Sequence, residues 1–212
     1  PYYPTDYFPA EGVRADVLAN TGETSRTPSR GTARVFSIQT DAVEVENAVL
    51  GYDDSPITEL NGTYRVEWGA MDHWFEEDEE VYVHPRSPYT RIDALASSRH
   101  VVVSIDGVEV ANSTSPVILF ETGLPPRYYL PKTDVRMDLL VPSNTSTECP
   151  YKGPAEYWSV QIGDTVHEDV VWGYPFPARE SAPISGLVCF YNERVDITLD
   201  GEPLERPRTI FS

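Results

Sequence analysis

The stretch Val49-Leu50-Gly51-Tyr52 returns 122 residues later as Val171-Trp172-Gly173-Tyr174, near the end of a longer internal match. Residues 7–52 lie on residues 129–174 without a gap, and 15 of those 46 positions are identical. Chance does not produce an ungapped match of this length, and a fixed shift of this kind is the signature of a duplicated structural unit. The sequence therefore predicts two copies of one fold.

The fold of each copy is predicted to be β. His100–Ile105 and Val108–Ala111 flank Asp106-Gly107, a strong signal for a two-residue hairpin. Val195–Leu199 runs into Asp200-Gly201 in the same way. The chain also holds 19 prolines, which leave little room for long helices. We predict an all-β protein of two repeated, compact antiparallel domains with little helix.

The domain boundaries follow from the repeat. We expect a first copy at residues 1–72, an ordered acidic bridge at 73–98 and a complete second copy at 99–212. Shifted back by 122 residues, Gly123 falls on Pro1, so copy one lacks the hairpin that begins copy two. An open sheet edge there is a liability. Either residues upstream of Pro1 belong to the native chain, or another segment covers the edge; we favour the first.

The charge excludes several classes of partner. The formal net charge is −18, whereas nucleic acids and anionic membrane surfaces attract basic proteins. No run of 18 apolar residues is present, so we expect no membrane span. The two cysteines and four scattered histidines form no zinc-binding pattern, so we expect no metal, no cofactor and no disulfide. A reducing cytoplasm fits this cysteine usage best.

Copy two contains a set of specific short motifs. They are Glu121-Thr122-Gly123-Leu124-Pro125-Pro126-Arg127-Tyr128-Tyr129-Leu130-Pro131, Asp134-Val135, Thr147-Glu148-Cys149-Pro150-Tyr151-Lys152-Gly153, Tyr157-Trp158, Trp172-Gly173-Tyr174-Pro175 and Phe190-Tyr191. In these motifs the chain resembles the family called domain of unknown function 427, and residues 84–93 resemble the bridge of its two-copy members. The resemblance implies a tent-like fold, in which two antiparallel sheets meet at an angle. Some collections label the family nucleotidyltransferase-like, but the chain has no Gly-rich phosphate loop and no Asp-x-Asp pair of a two-metal site.

Cys149 is the residue most suggestive of catalysis. A thiolate attacks only when its pKa is lowered by a cation or by backbone donors. Lys152 lies three residues further on, across a turn set by Pro150 and Gly153. Two interpretations stay open, a nucleophile activated by Lys152 and a structural cysteine in a tight turn.

Glu121 and Arg127 form a second candidate pair. Arg127 offers a bidentate fork for a carboxylate or phosphate. Glu121 can orient Arg127 or serve as a general base. The alternative is an ion pair that fixes the Pro125-Pro126 turn.

Aromatic side chains complete the candidate site. Alternation along strands sends neighbouring side chains to opposite faces, so only about half of them can face one cavity and the rest belong to the core. The bridge adds an imidazole and a guanidinium, which carry protons or bind anions, or clamp the bridge to both domains. The ligand-binding candidates are Arg127, Tyr128, Tyr129, Tyr151, Tyr157, Trp172, His84 and Arg86.

Two functions from different classes remain. The first is a pocket in copy two for a small polar or anionic molecule, with or without catalysis by Cys149, Lys152 and Glu121. The second is an interaction or structural protein whose aromatic motif residues are core. In copy one Arg127 becomes Thr5 and Cys149 becomes Thr27, while Lys152 keeps its charge as Arg30. We therefore expect copy one to be a degenerate partner domain. The sequence does not predict the ligand, the reaction or the oligomeric state.

Overall fold

The structure is a computed structural model that describes residues 4–89, 91–149 and 151–212. The chain divides into two compact units. Unit one is Pro1–Trp74 with Glu80–Arg86, and unit two is Phe75–Glu79 with Ser87–Ser212.

Strands dominate both units, and the described helices are short 3₁₀ segments. The strands are β1 Phe8–Pro9, β2 Leu18–Thr27, β3 Gly31–Gln39, β4 Glu44–Asp54, β5 Thr63–Val66, β6 Phe75–Glu76, β7 Glu79–Glu80, β8 Ile92–Ala96, β9 Val101–Ile105, β10 Val108–Ser113, β11 Val117–Glu121, β12 Arg127–Leu130, β13 Leu140–Cys149, β14 Gly153–Ile162, β15 Thr165–Gly173, β16 Val188–Phe190, β17 Asp196–Leu199 and β18 Glu202–Pro203. The 3₁₀ helices are Ala10–Gly12, Ala15–Val17, Thr58–Leu60, Trp68–Ala70, Lys132–Asp134, Met137–Leu139 and Arg179–Ile184. The prediction of an all-β fold with little helix is confirmed. Among the described residues no helix has the length and apolar character needed to cross a membrane.

Unit one is a single antiparallel sheet in the order β1-β5-β4-β3-β2. Unit two has a seven-stranded sheet, β13-β14-β15-β16-β12-β11-β8, and a four-stranded sheet, β10-β9-β17-β18. The predicted hairpin at Asp106-Gly107 joins β9 to β10. Side chains of the two sheets of unit two share one apolar core, in which Val101, Leu130 and Val171 are fully buried.

The strand registers confirm the repeat. In unit one β2 pairs with β3 through Leu18↔Ile38, then skips at a bulge to Thr24↔Arg34. In unit two β13 pairs with β14 through Leu140↔Val160 and skips to Ser146↔Glu156. Every one of these positions is shifted by 122 residues.

The same correspondence extends to special backbone conformations. Asn47 and its counterpart Asp169 both adopt a positive φ, at 54° and 50°. Gly31 and Gly153, also shifted by 122 residues, have φ of 78° and 93°. A left-handed conformation costs energy for residues other than glycine, so its recurrence at Asn47 and Asp169 marks a bulge built into both copies.

The two faces of the large sheet of unit two have different surroundings. Along β12, Tyr128 and Leu130 belong to the core shared with the four-stranded sheet. Tyr129 lies on the other face, in a second apolar cluster with Trp172 and Cys189. This alternation is expected of a strand, and it assigns the second face to the candidate site.

Candidate functional site

A cavity of about 410 Å³ opens on the second face of the large sheet in unit two. It is lined by Leu119, Glu121, Leu124, Arg127, Tyr129, Thr147, Cys149, Lys152, Tyr157, Trp172, Tyr174, Tyr191 and Phe211. Seven of the predicted site residues are among them: Glu121, Arg127, Tyr129, Cys149, Lys152, Tyr157 and Trp172.

The floor of the cavity is a row of side chains that crosses four strands. Tyr157 of β14 pairs with Trp172 of β15, and Trp172 pairs with Cys189 of β16. Cys189 in turn pairs with Tyr129 of β12. Directly opposed residues of antiparallel strands present their side chains on the same face. Three of these strands, β12, β14 and β15, therefore direct aromatic rings into the cavity, and β16 contributes Cys189 to the same row.

Hydroxyl and indole groups of the floor bond to one another. The indole N–H of Trp172 donates to the Tyr129 hydroxyl at 3.1 Å, and the two rings meet edge to face. The hydroxyls of Thr147 and Tyr157 are 2.9 Å apart. Burial raises the pKa of Tyr129 and of Tyr174, so these phenols stay protonated at neutral pH. The pKa of Tyr191 is raised by burial and by a hydrogen bond with Tyr157. Tyr129, Tyr174 and Tyr191 therefore add polar but uncharged groups to the cavity.

Lys152 and Glu121 form an ion pair in the cavity wall. Their side chains are 10% and 20% exposed, so water has little access to either group. The Lys152 backbone N–H donates to the Cys149 carbonyl at 3.3 Å, and the Lys152 carbonyl accepts from the N–H of Ala178. The predicted turn does bring Lys152 into the cavity. In this turn, however, the Lys152 backbone N–H is bonded to the Cys149 carbonyl, so it is not free to donate to the Cys149 sulfur.

Cys149 ends β13, where it pairs with Gly153. It is partly buried and lines the cavity, whereas Cys189 is fully buried. Burial raises the pKa of Cys189 to about 12, so this thiol is not ionised at neutral pH. Both thiols are free.

Arg127 is held by Glu193, whereas the sequence suggested Glu121. Two Arg127 nitrogens donate to the two Glu193 carboxylate oxygens at 2.7 Å each, and one also donates to Asn192 at 3.3 Å. The Glu193 side chain is 0% exposed and that of Arg127 is 5% exposed. Although burial opposes ionisation, hydrogen bonds from Arg127 and Thr209 lower the pKa of Glu193. Arg127 therefore lines the cavity as a cation whose charge is balanced by Glu193, and both of its terminal nitrogens are already hydrogen-bonded to that carboxylate.

Rings surround this guanidinium. Its central carbon lies over Trp172, Tyr191 and Phe211 at 5.5, 5.8 and 5.7 Å from the ring centroids. A buried cation between aromatic faces is stabilised by their quadrupoles. The pair Arg127–Glu193 therefore fixes the position of three of the six rings of the cavity.

Four of the predicted residues lie away from the cavity. Tyr128 faces the shared core on the opposite side of β12, and Tyr151 is 65% exposed. His84 and Arg86 belong to unit one. There His84 lines a separate cavity of about 210 Å³, and its Nδ1 lies 2.8 Å from the Pro85 carbonyl oxygen.

Sequence reasoning missed six lining residues: Leu119, Leu124, Thr147, Tyr174, Tyr191 and Phe211. Four of them carried a signal, because they belong to motifs of the resemblance: Leu124, Thr147, Tyr174 and Tyr191. Tyr174 also matches Tyr52 in the repeat. Phe211 carried none, because it lies beyond the repeat.

Unit one keeps only part of this arrangement. Tyr7 and Tyr52, the counterparts of Tyr129 and Tyr174, still contact each other edge to face at 5.8 Å. Leu50 replaces Trp172, and the buried Tyr7 hydroxyl has no hydrogen-bond partner among the residues that the structure describes. Across residues 4–89, 91–149 and 151–212, no three His, Cys, Asp or Glu side chains are grouped as metal ligands.

Comparison with known proteins identifies the family. A sequence profile described as Domain of unknown function (DUF427), with the label NTP_transf_9, matches residues 1–77 and again residues 93–201. No curated protein matches the chain significantly. The chain therefore belongs to the DUF427 family and carries two copies of its domain.

Proposed function

We propose that unit two binds a small polar or anionic organic molecule in the cavity above Tyr129, Tyr157 and Trp172. The observation that carries this proposal is the combination of volume and lining. A cavity of about 410 Å³ lies within the usual range of small-molecule sites. Such sites combine mostly apolar and aromatic walls with a few polar groups that fix the orientation of the ligand.

Lys152 is the group best suited to hold an anion. Arg127 has both ends of its fork committed to Glu193. Lys152 has three N–H donors, and its ammonium is paired with the Glu121 carboxylate. A ligand carboxylate or phosphate can therefore accept from Lys152 while the contact with Glu121 persists.

The aromatic floor favours a ligand with a flat or apolar part. Tyr and Trp walls provide large contact areas together with polar tips. The hydroxyls of Tyr129 and Tyr157 lie beside those walls and can form hydrogen bonds with a ligand. A molecule with one acidic group and one ring matches both halves of the lining.

Binding is better supported than catalysis. A nucleophilic Cys149 needs a cation or backbone donors near its thiolate. The Lys152 ammonium is paired with Glu121, and the Lys152 backbone N–H is bonded to the Cys149 carbonyl. Cys149 and Lys152 do line the same cavity, so catalysis by Cys149, Lys152 and Glu121 is the second candidate. Rapid alkylation of Cys149 at neutral pH would favour it.

Unit one, in this proposal, is the degenerate partner. The proposal keeps the domain limits expected from the sequence: 1–72 for the first copy, 73–98 for the bridge and 99–212 for the second copy. The net charge of −18 and the two free thiols support a cytoplasmic protein without nucleic-acid partners.

The test is a thermal-shift screen of small aromatic and aliphatic acids, followed by matched variants of the two copies. A ligand at 100 times its dissociation constant stabilises the protein by about 2.7 kcal/mol. We expect Lys152→Ala to abolish the shift and Arg30→Ala, at the corresponding position of unit one, to leave it unchanged. Glu121→Gln, which keeps the Lys152 ammonium, should retain binding.

Equal losses from Lys152→Ala and Arg30→Ala would contradict the assignment to unit two. A screen in which no acid stabilises the native protein would contradict the proposed function itself.

A further inference from the structure

The segment Pro207–Ser212, here called the Phe211 segment, lies against the Arg127–Glu193 pair. The Thr209 hydroxyl donates to the Glu193 carboxylate at 2.6 Å. The Arg194 guanidinium donates to the Phe211 carbonyl at 3.2 Å. The segment thus reaches the cavity through the same carboxylate that holds Arg127.

One side chain of this segment enters the cavity. Phe211 is among the lining residues, and its ring lies 5.7 Å from the ring of Tyr191. The preceding residue, Ile210, is 88% exposed. The segment therefore presents a single ring to the cavity and directs its neighbour into solvent.

Few bonds hold the segment in place. It belongs to no strand. Its internal hydrogen bonds join Thr209 to Phe211 and to Ser212, and Ser212 to the Pro207 carbonyl. Its hydrogen bonds to the rest of unit two are those with Glu193 and Arg194, among the residues that the structure describes. A segment with so few anchors opens at a small cost in free energy compared with the strands.

The Phe211 segment is also separate from the common part of the fold. The family match ends at residue 201, and the internal repeat ends near Asp196. The rings on β12, β14 and β15 belong to the part of the chain that the family profile matches, whereas Phe211 lies outside the matched residues.

We propose that Phe211 is a specificity-determining wall of the cavity and that Thr209 is its positioning residue, acting through Glu193. This inference rests on the proposed function, since it assigns the cavity a ligand with a flat ring. The Phe211 ring narrows the cavity on one side, so that its removal should admit a bulkier aromatic molecule.

The rate at which Cys149 reacts with thiol reagents tests the role of Phe211, and this test does not require the ligand to be identified. Cys149 lines the same cavity, while Cys189 is fully buried. Two thiol reagents are compared on the intact protein: methyl methanethiosulfonate, which is small, and 5,5′-dithiobis(2-nitrobenzoate), which is a bulky aromatic anion. The ratio of their rates measures the size selectivity of the entrance, and Cys149→Ser supplies the background.

We expect Phe211→Ala to accelerate the aromatic reagent several-fold and to change the rate of the small reagent little. Thr209→Val, which removes the hydroxyl and keeps the shape, should act in the same direction with a smaller effect. Ile210→Ala lies in the same segment but outside the cavity and should leave both rates unchanged.

Unchanged rates in Phe211→Ala would overturn the inference, and so would equal acceleration of both reagents, which marks a merely structural segment. A Cys149 that resists both reagents in every variant would count against an accessible cavity altogether. Failure of the proposed function shows separately, as a screen without a Lys152-dependent ligand.

Discussion

Unit one and the large sheet of unit two share the pairing of their strands and differ in the side chains that the strands carry. Val35↔Leu50↔Arg65 in unit one occupies the register of Tyr157↔Trp172↔Cys189 in unit two. The bulges and the left-handed residues are retained, while the ring-bearing row is lost. The difference shows that conserving the turns and bulges is enough to keep the fold. The cavity depends in addition on the side chains that β12, β14, β15 and β16 carry on one face of the sheet.

The largest expected contrast concerns Arg127. Arg127→Met leaves the fully buried carboxylate of Glu193 without its cation. Removing one partner of a buried ion pair costs about 3–5 kcal/mol. At the corresponding position of unit one, Thr5 is exposed, and Thr5→Ala should change the stability by less than about 0.5 kcal/mol. Urea unfolding of both variants measures the contrast.

A double variant separates charge from packing. Arg127→Met with Glu193→Gln removes both charges, and we expect it to recover most of the lost stability because no unpaired charge stays buried. A single variant Arg127→Met as stable as the native protein would show that the pair does not organise the cavity.

The second contrast uses the glycine shared by both copies. A Cβ on Gly173 would come within 2.5 Å of the Leu187 carbonyl oxygen, which belongs to the backbone. A Cβ on Gly51 would meet the rings of Phe36 and Tyr64 at 2.9 Å. Rings can rotate away, whereas moving Leu187 displaces the chain leading into β16. We expect Gly173→Ala to cost about 3 kcal/mol and Gly51→Ala about 1 kcal/mol in chemical denaturation.

Equal costs for the two substitutions would mean that the close approach in unit two is not a constraint. In that case the retained glycine would reflect the common origin of the copies rather than the packing of β15 against the Leu187 backbone.

The sequence predicted the repeat, and through it the strand pairs, because both depend on local patterns and a fixed shift. It also identified the part of the site that lies on the repeated sheet, such as Tyr157 and Trp172. It did not identify Glu193 as the partner of Arg127, since the two are separated by 66 residues and only the folded sheets bring them together.

Residues outside the sheet were beyond this kind of reasoning. Phe211 follows the last strand and reaches the cavity through a chain path that no periodicity encodes. The motif around Arg127 predicts Tyr128 as a site residue, but the alternation along β12 sends its side chain to the opposite face. Once β12 was placed, its register would have excluded Tyr128.

The smallest contrast, in a single hydroxyl, is the most direct measure of what unit one has lost. Tyr129 accepts a hydrogen bond from the buried indole of Trp172, and its counterpart Tyr7 has no partner among the described residues. Leu50 stands where Trp172 would supply the donor. A buried polar group without a partner costs free energy, whereas a partnered one contributes about 1 kcal/mol.

The same substitution should therefore act in opposite directions in the two units. Tyr129→Phe leaves the Trp172 N–H unsatisfied and should destabilise unit two by about 1–2 kcal/mol. Tyr7→Phe removes the unpartnered hydroxyl and should leave unit one unchanged or stabilise it by up to about 1 kcal/mol. Urea unfolding followed by tyrosine and tryptophan fluorescence gives both values. If Tyr7→Phe destabilises as much as Tyr129→Phe, the Tyr7 hydroxyl has a partner in solution, and unit one retains more of the site than its Leu50 and Thr27 indicate.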